Sequence, residues 1–190
     1  MPPPFPKAAS PPPLSENLRR RGVALRGAAP TDLPFLRDLY ADIRAGELAL
    51  APWSAEQKRA FTDDQFRLQH IHFTRYHARA DFWIVEQGLT PALPRPIGRL
   101  YLDRSVEPWC IVEIGFLAEA RGQGHGSAMI AWLQEEAMKA RAPGIVLSVA
   151  AGNPRAEALY RRLGFIAEGE SGPTHQTMRW SPEAEGRPLS

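Results

Sequence analysis

"EARGQGHGSAMIAWLQ", residues 119–134, sets Gly122, Gly124 and Gly126 within five positions and then runs into a stretch of helical character. Glycine gives up more backbone freedom on folding than any other residue, so three of them at the head of a helix call for a reason. The helix terminus supplies it. Its first amides have no intrahelical partner and point toward one spot at the positive end of the helix dipole. A turn stripped of side chains lets an anion, above all a pyrophosphate, reach those amides. Arg121 either adds a guanidinium to the anion or fixes the loop, and the bland alternative for the whole stretch is a tight turn.

Two familiar phosphate motifs do not fit. A Walker A loop needs Lys followed by Ser or Thr after its last glycine, where this chain has His125-Gly126-Ser127. A dinucleotide fingerprint needs G-x-G-x-x-G after the first strand of a βαβ unit, whereas the spacing here is G-x-G-x-G and lies mid-chain.

The 190 residues suffice for one domain with one core, and 44% hydrophobic with 23% charged residues is ordinary globular composition. A formal charge of +2, with acidic residues interleaved among the arginines, gives no basic stripe and argues against nucleic acid as a partner. The lone Cys110 excludes an internal disulfide framework and fits a reducing compartment, so the cytoplasm is the expected location. No apolar run approaches the roughly 18 residues of a membrane span, so no membrane association is expected. Residues 1–21 read as a Pro-rich, flexible tail rather than a signal peptide, because prolines occupy the place of its apolar stretch. Residues 22–182 read as the folded domain and 183–190 as a C-terminal tail.

Along the domain, residues 23–28 alternate as a strand, and a helix follows with Thr31 or Asp32 as cap and Pro34 in its first turn. Ser54 to Gln57 has the form of a capping box and opens a second helix to about Tyr76. Strand-like segments at 81–87, 96–104 and 109–118 predict an antiparallel meander. The glycine turn then opens a helix to about Lys139. Residues 144–151 read as a fully buried strand. Asn153 caps a helix with Pro154 at its first position, Gly164 stops it, and 165–170 with 174–180 form a closing hairpin. This order gives a mixed α/β sheet with helices on both faces.

Two separated motifs, with that element order, carry a resemblance to a known family. Arg121-Gly122-Gln123-Gly124-His125-Gly126 is similar to the Arg/Gln-x-x-Gly-x-Gly/Ala signature of the GNAT superfamily of acyl-CoA-dependent N-acyltransferases. Asn153-Pro154-x-Ala156-x-x-x-Tyr160-x-x-x-Gly164-Phe165 resembles its second cofactor-side motif. The resemblance runs from about Val23 to Trp180; Ala118 stands where members often have proline. It implies a twisted mixed sheet of about seven strands with a V-shaped opening between the fourth and fifth, and acetyl-CoA as acyl donor with no metal. By the resemblance, backbone near Ile114, Phe116 and Leu117 would pair with the pantetheine arm, which Asn153 would flank. The amides of Arg121, Gly122, Gln123, Gly124, His125, Gly126 and Ser127 would hold the pyrophosphate.

Acyl transfer to an amine needs a neutral nitrogen, a polarised carbonyl and a proton for the departing thiolate. Tyr160 falls where the family often places the proton donor; as a lone tyrosine on an amphipathic helix it reads as core. Glu113 shares a strand face with Gly115 and Leu117, and reads equally as a partly desolvated general base or as a solvated, salt-bridged carboxylate. Cys110, flanked by apolar residues, reads as packing rather than a nucleophile. His70, His72 and His77 are not spaced as a same-face helical pair, which argues against a metal site. Trp53, Phe61, Phe66, His70, Phe73 and Tyr76 are candidates for an acceptor wall, with Glu47, Asp63 or Asp64 available to a cationic amine. The expected activity is acetyl transfer to a primary amine in a ternary complex. Alternatives are a longer acyl-CoA donor, or a catalytically silent CoA-binding sensor. A free sheet edge near the C-terminal hairpin allows a homodimer.

Overall fold

The strand-like segments read between 81 and 118 form three antiparallel strands, β2 (Asp81–Gln87), β3 (Arg95–Asp103) and β4 (Trp109–Phe116), at the centre of the sheet. The structure, a computed structural model, describes residues 3–7, 9–88, 94–169 and 174–182. β1 (Val23–Gly27) pairs with β2 on one side; β5 (Ile145–Ala150), β6 (Ile166–Ala167) and β7 (His175–Trp180) complete a seven-stranded sheet in the order β1-β2-β3-β4-β5-β7-β6. Every pairing is antiparallel except β4 with β5. Residues 170–173 and the expected C-terminal tail, 183–190, lie outside the described residues.

The parallel pair is short. Trp109–Ile111 register with Ile145–Leu147, and no pairing continues beyond them. A register shift against β3 adds a residue at Val112, between the partners of Tyr101 and Leu102, and such a bulge bends the strand that carries it. Beyond it the two strands part and leave the V-shaped opening.

Among the described residues, five helices cover the sheet: α1 (Glu16–Arg20), α2 (Leu33–Leu48), α3 (Ala55–Tyr76), α4 (His125–Lys139) and α5 (Pro154–Arg162). The capping box that starts α3 is complete, with Gln57 N donating to Ser54 Oγ at 3.1 Å and Ser54 N to Gln57 Oε1 at 2.8 Å. α2 starts where expected, with Asp32 at its N-cap position and Pro34 in its first turn, but the Asp32 side chain does not make the cap bond. Pro30–Asp32 form a 3₁₀ turn, and the Asp32 carboxylate, instead of capping the helix, accepts from Ala29 N and makes two 2.7 Å bonds to Arg26. β5 is also not buried throughout. Its burial alternates, with Ile145, Leu147 and Val149 inside and Ser148 exposed, so that only one of its faces packs on the core.

The main core lies between the sheet and α4, with Trp83, Ile97, Leu100, Met129, Ile130, Trp132, Leu133 and Trp180 almost wholly buried. On the other face α2 and α3 pack Leu36, Leu39 and Phe66 over Ile84. The N-terminal segment departs from the tail expected at 1–21. Ser15 caps α1, whose Leu18 is fully buried in the main core. Ahead of it, Pro3 O lies 2.8 Å from His70 Nε2, and Phe5 packs edge-on against His70 and Phe82. Ala9 N donates to Asp81 Oδ1, while the indoles of Trp83 and Trp132 donate to Ala9 O and Pro13 O. Without helix or strand periodicity, a proline-rich run supplies carbonyls and apolar rings that the folded domain takes up.

Candidate active site

The opening between β4 and β5 is a cleft of about 670 Å³, within the range of small-molecule sites. Its walls come from β4 (Glu113, Ile114, Gly115, Phe116), from the loop and first turn of α4 (Arg121, Gly122, Gly124, His125, Gly126, Ser127) and from α5 with its cap (Asn153, Tyr160). From α2 and α3 only Ile43 reaches it.

The loop has the character the glycines suggest. Gly122 and Gly124 sit at φ +77° and +82°, left-handed conformations that side chains disfavour. The first amide at the head of α4 to find a backbone acceptor is that of Ala128, bonded to Gly124 O at 3.0 Å. Among the described residues, the six amides from Gly122 to Ser127 donate to nothing. Six consecutive unpartnered amides at one helix terminus form a site for an anion.

Arg121 lines the cleft, but its guanidinium is engaged in fixing this loop. Its Nε donates to Phe116 O at 3.0 Å and its Nη2 to Asp42 O at 3.1 Å, and its guanidinium is ion-paired with the Asp42 carboxylate. Asp42 also accepts from Ala118 N at 2.8 Å, so α2 is tied to the loop at two points. Gln123 does not line the cleft, its side-chain amide donating to Glu119 O. His125 is 3% exposed, stacks on Phe116 at 6.0 Å and has neither ring nitrogen partnered. Burial, with the positive charge of Arg21 adding to it, lowers its pKa and keeps the ring neutral.

Of the three positions expected along the pantetheine arm, Ile114 and Phe116 line the cleft on the stretch of β4 that leaves β5. Leu117 does not. Its N–H donates to Ile97 O, its carbonyl accepts from Ala120 and Arg121, and its side chain packs beneath α2. Asn153 flanks the cleft, with Oδ1 accepting from Ala156 N at 3.1 Å as an N-cap.

Tyr160 and Glu113 both line the cleft. The Tyr160 side chain packs against Phe165, and its hydroxyl has no hydrogen-bond partner among the described residues. Burial, reinforced by the charge of Glu113, pushes this phenol up to about 12, so it carries its proton at neutral pH. Glu113 Oε2 lies 3.6 Å from Arg99 Nη2 and accepts from Gln69 Nε2 at 3.4 Å, and Gln69 Oε1 accepts from the same Arg99 nitrogen at 2.8 Å. Arg99, 1% exposed, is a buried cation whose nearest counter-charge is Glu113. Glu113 is thus both salt-bridged and open to the cleft, which joins the two readings that its place on the strand allows. Nothing in the sequence pattern singles out Arg99; an arginine amid the apolar residues of a central strand is the one available signal.

Cys110 lies at the closed end of β4, opposite Val146, where burial pushes its thiol pKa up. The expected acceptor wall is assembled only in part and apart from the cleft: Asp63, Phe66 and His70 line a separate hollow of about 460 Å³ between α2 and α3, while Phe73 packs on Tyr101, Trp53 pairs with Phe61, and Tyr76 is largely exposed. Glu47 pairs with Arg44, Asp63 with Arg59 and Asp64 with Arg67, so these carboxylates already have cations.

The acetyltransferase (GNAT) family model matches residues 39–165, well over half of the chain. The chain belongs to the GNAT acetyltransferase family. Among solved structures, the PaiA N-acetyltransferase of Thermoplasma acidophilum in complex with coenzyme A superposes with a TM-score of 0.61 at 13% identity, covering 84% of this chain and 98% of that one. The spermidine N-acetyltransferase of Vibrio cholerae, in complex with CoA and spermine, gives a TM-score of 0.57 at 18% identity over 86% of this chain and 97% of its own. At these identities the likeness is one of fold, and the seven-stranded mixed sheet opening between β4 and β5 is the GNAT architecture. No curated protein matches the chain. No helix among the described residues is long and apolar enough to cross a membrane.

Proposed function

We propose that the protein is an N-acetyltransferase that moves an acetyl group from acetyl-CoA to a primary amine by direct attack within a ternary complex. The observation that carries this reading is the set of six unpartnered amides at the head of α4, opening into the cleft that Tyr160 and Glu113 also line. The amides receive the diphosphate of CoA, and Gly126 leaves room for it, since a Cβ there would project between Leu159 and Phe116 of the cleft wall. The unpaired edge of β4 at Ile114 and Phe116 lies alongside the pantetheine arm.

An amine with a pKa near 10 is mostly protonated at neutral pH and must lose a proton before it attacks. Glu113, held by Arg99 and Gln69, takes that proton directly or through a water. Backbone amides of the parted strand polarise the thioester carbonyl. Tyr160, protonated and without a competing partner, gives its proton to the departing thiolate. The crystallisation of the Vibrio cholerae enzyme with spermine supports an amine as acceptor. The raised thiol pKa of Cys110 and its place at the closed end of the sheet favour direct transfer over an acyl-enzyme.

The test is a panel of amines assayed for acetyl-CoA-dependent thiol release, after a thermal-shift measurement with CoA. A rise in melting temperature with CoA, by mass action on the folded state, together with thiol release on one class of amine, is expected. CoA binding with no release on any amine would favour a sensor of the same fold.

A further inference from the structure

The signature arginine, Arg121, spends its guanidinium on Asp42 and Phe116 O, which leaves the phosphate loop without the side-chain charge that the motif suggests. Two other guanidinium groups stand at the ends of the same turn. Arg21, the residue that closes α1, donates from Nη1 to Gln123 O at 2.7 Å and from Nε to Asn17 Oδ1 at 2.9 Å. Its Nη1 and Nη2 stand 3.3 and 3.4 Å from where a Cβ on Gly124 would lie. Arg155, in the first turn of α5, brings Nη2 to 3.5 Å from where a Cβ on Gly122 would lie. It lines the cleft and makes no hydrogen bond or ion pair among the described residues.

Neither Arg21 nor Arg155 has a carboxylate counter-ion among the described residues, while many arginines elsewhere on the surface do. Two uncompensated cations converge on one stretch of bare amides, beside the buried and unpartnered nitrogens of His125. Like charges gathered this way repel one another, and an anion between them reverses the sign of the interaction. Arg21 is also placed deliberately by the fold. The burial of Leu18 and the Ser15 cap anchor α1 so that its last turn ends on the loop.

We propose that Arg21 and Arg155 clamp the diphosphate of CoA at either end of the Gly122–Gly124 turn, which makes the N-terminal segment a working part of the cofactor site. This rests on the CoA-binding reading above. Arg21 lies outside the stretch that the family model matches, so its contribution belongs to this chain and not to the shared motif.

Calorimetry on the full chain with CoA and with 3′-dephospho-CoA tests the assignment in wild type, Arg21→Gln, Arg21→Lys and Arg155→Gln. Arg155→Gln and Arg21→Gln are expected to weaken both ligands about tenfold, and to equal degree, because both ligands carry the diphosphate. Arg21→Lys is expected to recover most of the loss. Arg155→Gln is expected to leave the melting temperature of the free protein within a degree, since its side chain is exposed and partnerless. Wild-type affinity in both Gln variants would overturn the clamp while leaving CoA binding intact. Weakening of CoA alone, with dephospho-CoA unaffected, would move the arginines to the 3′-phosphate and overturn it as well. A Lys variant as weak as the Gln variant would reduce Arg21 to a loop brace. Absence of CoA binding in the wild type would instead defeat the underlying reading.

Discussion

Replacing Gly126 by leucine separates folding from cofactor binding, because the two respond with opposite signs. A Cβ at this position meets Leu159 Cδ2 at 3.6 Å and Phe116 Cε2 at 3.9 Å, ordinary van der Waals contacts, and the backbone is not left-handed there. The fold therefore accepts the side chain. Exchange of glycine for a good helix former gains up to about 0.8 kcal/mol in a helix interior, and less at the second residue of α4. Beyond Cβ the leucine occupies the space between two walls of the cleft and holds a diphosphate away from the amides. Hydrogen bonds to charged groups contribute about 1.5 kcal/mol each at the low end, so losing two costs about 3 kcal/mol. That is roughly 150-fold in Kd. Thermal melting without ligand and calorimetry with CoA read the two effects on one sample. An unchanged or slightly higher melting temperature with CoA binding weakened a hundredfold or more is expected. A Kd within threefold of wild type, or a melting temperature lowered by ten degrees, would refute the reasoning.

Tyr160→Phe removes a hydroxyl with no hydrogen-bond partner among the described residues and keeps the ring against Phe165; CoA affinity should persist while kcat falls about 10²- to 10⁴-fold. Glu113→Gln should lower kcat by about 10²-fold; an unchanged kcat with a lower melting temperature would make Glu113 only the counter-ion of buried Arg99. Cys110→Ala should keep activity, and mass spectrometry that found a stable acetyl group on Cys110 would contradict direct transfer. Burial lowers the pKa of His70 and His125 below the usual histidine value, so the unfolded chain binds protons that the folded one refuses. Stability should be full above about pH 6.5 and fall as pH drops below it, and His125→Leu should make that slope shallower in melting curves; an unaltered slope would show that the fold does not hold the His125 ring neutral.

What the sequence made legible is what local chemistry encodes. The glycine turn, the Ser54 capping box, the Asn153 cap and the turn-bounded segments of β2 to β4 each depend on residues a few positions apart, and the structure places them as read. What escaped depends on distance along the chain. Arg121 finds Asp42 79 positions away, and Arg21 finds Gln123 O 102 positions away; no spacing rule spans such gaps. α1 is only five residues long and owes its place to the burial of Leu18, so neither periodicity nor propensity announces it. The aromatics of α3 carry the same residue types whether they line a pocket or fill a core. Here Phe66 and His70 face a hollow between α2 and α3 that is separate from the cleft, and ion pairs along these helices take up the carboxylates that an amine would have used.

Amide resonances from Gly122 to Ser127, followed by ¹H–¹⁵N correlation spectra during titration with CoA and, separately, with pantetheine, report directly on which groups meet the diphosphate. Large shifts at those six amides with CoA, and little change with pantetheine, are predicted. A loop that stays silent while CoA binds, or shifts that gather on other elements, would contradict the account.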